Sequence, residues 1–188
     1  MKYYLLFGPP GAGKGTQAKQ MVEKFNLHHV STGDLLRREI AKESELGKLA
    51  KSIIDAGNLV DDSIVVKMIG NEIENNPQVS GFLFDGFPRT LEQAAVLDEM
   101  LTRKGHKVDK VISLIIDDKL VFERIRHRAD IEGRKDDADP KTIQKRIDTY
   151  HKQTEPLINY YKQQEKYFEI PGAGSIDEIF AKVSELVK

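Results

Sequence analysis

The sequence of 188 residues contains no cysteine. That absence excludes a disulfide framework, a cysteine-ligated zinc site, an iron–sulfur cluster and thiol catalysis. A surplus of charge is missing too: 29 Lys and Arg face 30 Asp and Glu, a formal net charge of −1. A chain that held nucleic acid or an anionic membrane through bulk charge would be basic. Here basic residues are interleaved with acidic ones and no aromatic-rich basic strand occurs, so neither partner is expected. No apolar run approaches the roughly 20 residues that span a bilayer. The opening MKYYLLFGPP has a short apolar stretch and no small-residue cleavage site, so a cytoplasmic protein is expected. No internal repeat or low-complexity segment interrupts the chain. With 39% hydrophobic and 31% charged residues, it has the makeup of one globular domain long enough to bury a core.

Strand-like and helix-like pieces alternate. Short apolar runs at residues 3–7, 28–30, 81–84, 111–116 and 167–170 read as strands. The run at 111–116 lacks alternation, as a strand buried on both faces should. Between them lie helical stripes: Ala18, Met21, Val22 and Phe25; Leu46, Leu49, Ala50, Ile53 and Ile54, with Gly57 placed to end the helix; Ile64, Val65, Met68 and Ile69, capped by Asp61. Thr90 with Gln93 reads as a capping box before Leu91, Ala94, Ala95 and Leu101. Asp139-Pro140 opens a helix through Ile143, Ile147 and Tyr150, and Ser175 with Glu178 opens the last one. Strands and helices in this order predict a three-layer α/β/α fold around a five-stranded parallel sheet, with ligands at the carboxyl ends of the strands.

The first strand runs into Gly8-Pro-Pro-Gly-Ala-Gly-Lys14-Gly-Thr16. Small residues let the backbone curl until successive N–H groups face one anion, and the next helix adds the positive end of its dipole. Lys14 supplies a mobile charge for outer phosphates. The run nearly fits the P-loop pattern, but Gly15 follows the lysine and the hydroxyl comes one residue later, at Thr16. A glycine-rich turn with no ligand is the plainer alternative, disfavoured because glycines, lysine, strand and helix all fall in order.

A second run, Phe84-Asp-Gly-Phe-Pro-Arg-Thr90, opens at the end of another strand. Asp85 can order magnesium-bound water, and Arg89 can grip a phosphate with two prongs. Alone, the two would be a surface ion pair. A third run, Arg128-Ala-Asp-Ile-Glu-Gly-Arg-Lys-Asp-Asp137, is polar and reads as a mobile loop with arginines at both ends. Arg146 follows on the next helix. Phosphoryl transfer needs several cations around the transferring group, and a closing flap that keeps water out. Arg124 and Arg126 fit a solvated helix face equally well.

Taken together, residues 8–16, Ser31-Thr-Gly-Asp-Leu-Leu-Arg37, Asp85-Gly-Phe-Pro-Arg89 and the loop with Gly133-Arg134 and Asp136-Asp137 occur in the order and spacing of adenylate kinases. The chain resembles that family over nearly its whole length. The resemblance implies reversible phosphoryl transfer from MgATP to AMP, giving two ADP, by a monomer. It also implies a core (1–30, 61–126, 138–188), an AMP-binding helical insertion (31–60) and a lid (127–137). Carried over, Gly11, Ala12, Gly13, Lys14, Gly15 and Thr16 hold the ATP phosphates, Arg128 lies near ATP, and the Gly174 backbone faces its adenine. Thr32 and Arg37 contact AMP, as do the backbone at Asn58, Leu59 and Val60, the run Gly86, Phe87, Pro88 and Arg89, and Arg134 and Arg146. Lys14, Arg89, Arg128, Arg134 and Arg146 form the catalytic set. Asp136 and Asp137 match an acidic pair in the lid.

Gln93 has two compatible roles: capping partner of Thr90, and an amide that reads adenine. UMP/CMP kinases commonly carry Asn where Thr90 stands, which favours AMP. Some bacterial relatives have a long lid with four cysteines binding zinc. Here the lid is about 11 residues without such ligands, and His28, His29, His106, His127 and His151 show no metal-ligand spacing. Mg2+ with ATP, and no zinc, is therefore expected. Two alternatives remain at this point: a kinase for UMP/CMP or GMP, and a P-loop module that binds nucleotide without turnover.

Overall fold

The computed structural model describes residues 1–133 and 137–187. Five strands form one all-parallel sheet: β1 (Lys2–Phe7), β2 (His28–Ser31), β3 (Gly81–Asp85), β4 (Lys110–Ile115) and β5 (Tyr167–Pro171), in the spatial order β2-β3-β1-β4-β5. The five apolar runs expected as strands all lie in it. β1 is central because its residues are apolar on both faces. Tyr3, Leu5 and Phe7 enter a core with Phe82, Phe84, Leu97 and Val111, while Tyr4 and Leu6 enter a second core with Met21, Leu83, Ile112 and Leu114. Burying each of these side chains stabilises the fold by roughly 1.5–3 kcal/mol.

The first core is covered by α2 (Thr32–Ala41), α3 (Glu45–Asp55), α4 (Asp62–Asn75), α5 (Leu91–Arg103) and α8 (Leu157–Lys162); the second by α1 (Lys14–Phe25) and α9 (Ile176–Leu186). A third, small cluster of Val121, Ile125, Ile143 and Ile147 joins α6 (Asp118–Glu132) to α7 (Pro140–Thr149). The caps follow the sequence. Asp61, Thr90, Asp139 and Ser175 each accept a hydrogen bond from a first-turn N–H, and Ser175 with Glu178 closes a full capping box. Among the described residues no helix is long and apolar enough to cross a membrane.

Thr32–Ala41, within the stretch 31–60 expected to be helical, forms α2, capped by the Ser31 hydroxyl. Two local features depart from the sequence reading. Residues 127–132, assigned to a loop, continue α6, because nothing there breaks a helix before Gly133 caps it in the left-handed region (φ 63°). After Thr149 the chain widens into one π turn, Tyr150–Thr154, and Tyr150 lies outside the apolar cluster that holds Ile143 and Ile147. His151 in that turn reaches Glu155 at 2.8 Å and Asp118, at the start of α6, at 3.1 Å.

The register brings the functional loops to one edge. Leu6 pairs with Asp85, Ser31 with Asp85, and Phe7 with Ser113. The glycine loop after β1, the start of α2 and the loop after β3 therefore leave the sheet side by side.

Candidate active site

Gly8 leaves β1 with φ 136°, and a Cβ there would lie 2.7 Å from the Leu114 carbonyl oxygen, so only glycine fits. The loop then folds back, with the Ala12 N–H donating to the Pro9 carbonyl at 3.2 Å. Gly13, the N-cap of α1, provides no side-chain cap, and a Cβ on Gly13 or Gly15 would meet nothing within 4 Å. The first-turn N–H groups thus face an open hollow, the arrangement that suits an anion. Lys14 extends over this loop and donates to the carbonyls of Gly8 (2.8 Å) and Pro9 (2.9 Å). Ala12 is buried beneath; Gly15 and Thr16 are exposed on the first turn.

A second set of polar contacts gathers around Gly86. Its carbonyl accepts from the Thr32 hydroxyl and from Arg89 Nε, both at 2.8 Å. Its own φ is 77°, and a Cβ would sit 2.7 Å from the Arg89 guanidinium and 2.8 Å from the Thr32 oxygen. The Arg89 backbone is held at both ends: its N–H donates to Gln93 Oε1 (2.8 Å) and its carbonyl accepts from the Thr154 hydroxyl (3.0 Å). The Phe87 side chain is buried in the first core, which leaves its backbone to the site; the peptide bond joining it to Pro88 is cis. Arg37 pairs with Asp34, one turn back on α2.

Gly57 brings the insertion against α7. A Cβ on it would lie 3.4 Å from Arg146 Cγ, and Asn58, Leu59 and Val60 follow directly. A cleft of about 740 Å3 opens between these residues, Thr90 to Glu92, and the π turn; Lys14, Arg89, Arg128 and Arg146 lie outside its lining. It is therefore distinct from the cluster of cations.

Two arginines converge on one carboxylate. Asp137, fully buried, accepts from Arg128 Nε (2.7 Å) and Nη2 (3.0 Å) and also pairs with Arg146. Its negative charge neutralises part of a dense positive cluster. We expect Asp137→Asn to lower stability by about 2–4 kcal/mol, because two guanidiniums lose their counter-charge. Urea unfolding at neutral pH measures this, and a loss below about 0.5 kcal/mol would contradict it. Arg134 and Asp136, both assigned to the lid, lie outside the described residues.

The cluster perturbs its own members. Burial pushes Lys14 down to about 8; Asp85 opposes the shift, while Arg89, Arg128 and Arg146 add to it. Burial also lowers Arg89 to about 10, helped by Arg146 and Arg37 against the pull of Asp85. Arg89 stays charged at neutral pH. Lys14, Arg37, Asp85, Arg89, Arg128 and Arg146, from five separate stretches of chain, thus share one field, as at sites that bind concentrated negative charge.

On the other side of the glycine loop, Arg124 donates to the Gly172 carbonyl at 3.0 Å, and the Gly172 N–H donates to Ile115 at 2.8 Å. This fixes a planar guanidinium at the Gly172 carbonyl, just after β5. Sequence reasoning left Arg124 undecided; its spacing of four from Arg128 on α6 was the available signal, placing both on one face. Arg126 is exposed, as a solvated face requires. Among the described residues no three His, Asp or Glu side chains form a group that could hold a metal directly. His28 pairs with Glu72 at 3.0 Å and His29 lies 3.9 Å from Asp85.

The family model for adenylate kinase matches residues 6–166. The adenylate kinase of Flavobacterium psychrophilum is 48% identical over 183 residues, covering 97% of this chain and 96% of its own length. That of Phenylobacterium zucineum is 46% identical over 179 residues, 95% of this chain and 94% of its own. That of Parabacteroides distasonis is 42% identical over 183 residues, 97% of this chain and 96% of its own. A glycine loop and a set of arginines meeting at one sheet edge are what such similarity predicts, and the chain belongs to the adenylate kinase family.

Proposed function

We propose that this chain catalyses reversible transfer of the terminal phosphate of MgATP to AMP, giving two ADP. The carrying observation is that the glycine loop with Lys14 and the Gly86–Arg89 turn leave neighbouring parallel strands at the same end of the sheet, Leu6 pairing with Asp85. Two candidate anion-binding loops therefore stand side by side, as transfer between two phosphate compounds requires. An AMP phosphate oxygen attacks the terminal phosphorus, the bond to the bridging oxygen breaks, and ADP leaves. The attacking oxygen is already anionic, so no side chain need act as a strong base. Catalysis rests on alignment and on cations placed where charge spreads over the equatorial oxygens.

In this reading residues 11–16 hold the ATP phosphates, while Thr32, Arg37, residues 58–60, residues 86–89, Gln93 and Arg146 hold AMP. Arg128, and Arg134 from the lid, neutralise the transferring group; Gly174 lines the ATP base. Asp85 offers a carboxylate and Thr16 a hydroxyl near the phosphate hollow, hard oxygen donors that suit Mg2+. They would hold the ion through its waters, and when bound it supplies charge neutralisation. Family membership favours a monomer acting in the cytoplasm, without zinc.

Initial rates with AMP, CMP, UMP and GMP under fixed MgATP test the proposal. AMP should exceed each of the others by at least about tenfold. Preference for a pyrimidine or for GMP would assign a sister kinase, and ATP binding without AMP-dependent ADP formation would assign a binding module.

A further inference from the structure

Gln93 is 2% exposed, and its side chain does not close the capping box that the sequence suggests. Its Oε1 accepts from the Arg89 N–H at 2.8 Å, one residue beyond the cap. Its Nε2 donates to Asp62 Oδ1 at 2.6 Å. The other oxygen of Asp62 accepts from the Thr90 hydroxyl at 2.7 Å, and that hydroxyl accepts from the Gln93 N–H at 3.2 Å. A ring of hydrogen bonds thereby ties the first turn of α4, where the insertion rejoins the core, to the start of α5.

The chemistry of this ring fixes the amide's polarity. An ionised carboxylate can only accept, so the Gln93 nitrogen must face Asp62. A backbone N–H can only donate, so the oxygen must face Arg89. One N–H and one oxygen lone pair remain, in a fixed order. Adenine offers an acceptor at N1 and a donor at N6; guanine offers the reverse at N1 and O6. A locked amide matches one order in a given pose, whereas an amide free to flip matches either.

We propose that Asp62 is a positioning residue for acceptor specificity: by holding the Gln93 amide in one orientation it makes the site prefer adenine over guanine. The proposal rests on Gln93 reading the acceptor base in the function proposed above. Asp62 also sits in the first turn of α4, where a carboxylate stabilises a helix modestly, so the test must separate the two roles.

Asp62→Asn can donate as well as accept, and so removes one of the two constraints on the amide's orientation, the Arg89 N–H being the other, with little change of shape. The ratio of kcat/KM for AMP to that for GMP should fall about tenfold. The change should come through KM for AMP, with KM for ATP within about twofold of the wild type. In a Gln93→Leu background, Asp62→Asn should leave the ratio unchanged, because it acts through that amide. A helix-stabilising role alone would leave the ratio intact in both backgrounds. An unchanged ratio, a parallel rise in KM for ATP, or additive effects in the double variant would overturn the proposal. Nuclear magnetic resonance of the wild type gives a reading independent of the variant's folding. The Gln93 side-chain NH2 pair, assigned by its loss in Gln93→Leu, should show one proton protected from solvent exchange. Fast exchange of both would also overturn the proposal. Absence of AMP-dependent turnover in the wild type would instead sink the parent reading.

Discussion

Replacing Lys14 with methionine is expected to lower ADP formation from MgATP and AMP by about 10²–10³-fold, with a melting temperature at neutral pH no lower than that of the wild type. The activity loss follows from removing the cation that lies over the glycine loop. The stability follows from the site's own field. In the folded protein Lys14 titrates near 8 rather than 10.5, with burial the main cause and three arginines adding to it. A depressed lysine means that holding the charge works against folding at neutral pH. That penalty is present below about 8 and fades as pH rises from there toward the unfolded value; at pH 7 it is roughly 3 kcal/mol. The two hydrogen bonds to the Gly8 and Pro9 carbonyls, each worth roughly 1.5 kcal/mol, offset it. Methionine removes both effects together while keeping the apolar stem. Phosphates also restore the lysine's affinity for its proton, so ATP binding to the wild type at pH 8.5 should take up protons. Calorimetry in buffers of different ionisation enthalpy measures that uptake. A marked drop in melting temperature, or near-normal turnover, would refute the assignment.

The same reasoning shows where sequence reading reaches and where it stops. The strands were legible because burial on both faces forces continuous apolar runs, as at Val111, Ile112 and Leu114. The caps at Asp61, Thr90, Asp139 and Ser175 were legible because capping is local, and the glycine loop because its pattern of glycines and lysine is contiguous in the chain. What escaped was nonlocal. Asp62 lies 31 residues from Gln93, and their hydrogen bond diverts an amide that linear spacing assigned to the cap. Arg124 gains a role only when β5 delivers the Gly172 carbonyl, 48 residues on. Periodicity also overstated burial. Leu49 fits its stripe yet is 52% exposed, since a helix at the rim presents a wider apolar face than the core covers. The end of α6 was misplaced because a run of charge was read as a loop, although charged residues are good helix formers and only Gly133 stops them.

Charge balance links these points. Net charge near zero concealed a local excess in which Lys14, Arg89, Arg128 and Arg146 share one field, with Asp137 and Asp85 as the nearby carboxylates. Such a cluster opposes folding and favours a polyanion. It persists because the surrounding backbone holds each member: the Gly8 and Pro9 carbonyls for Lys14, the Gly86 carbonyl for Arg89, and the fully buried Asp137 for Arg128 and Arg146.

Arg89 carries the second large effect, and the informative substitution is the conservative one. Arg89→Lys keeps a positive charge but loses the planar fork and the Nε bond to the Gly86 carbonyl, which sets the fork's direction. We expect kcat/KM for AMP to fall about 10²–10³-fold, with KM for ATP changed less than about threefold, because the loss falls on alignment of the acceptor phosphate. The environment adds a pH signature. Burial, with Arg146 and Arg37 nearby, draws even an arginine down to about 10, where it remains charged throughout the neutral range. A lysine starts from a lower value, so the same surroundings bring its loss of charge into the working range. The variant's residual rate, divided by the wild-type rate at each pH to cancel the titration of Lys14, should therefore decline from pH 7 to 9. A flat ratio would mean that the ammonium escapes the buried position, and a variant within tenfold of wild type would mean that charge at this site suffices without the two-pronged grip.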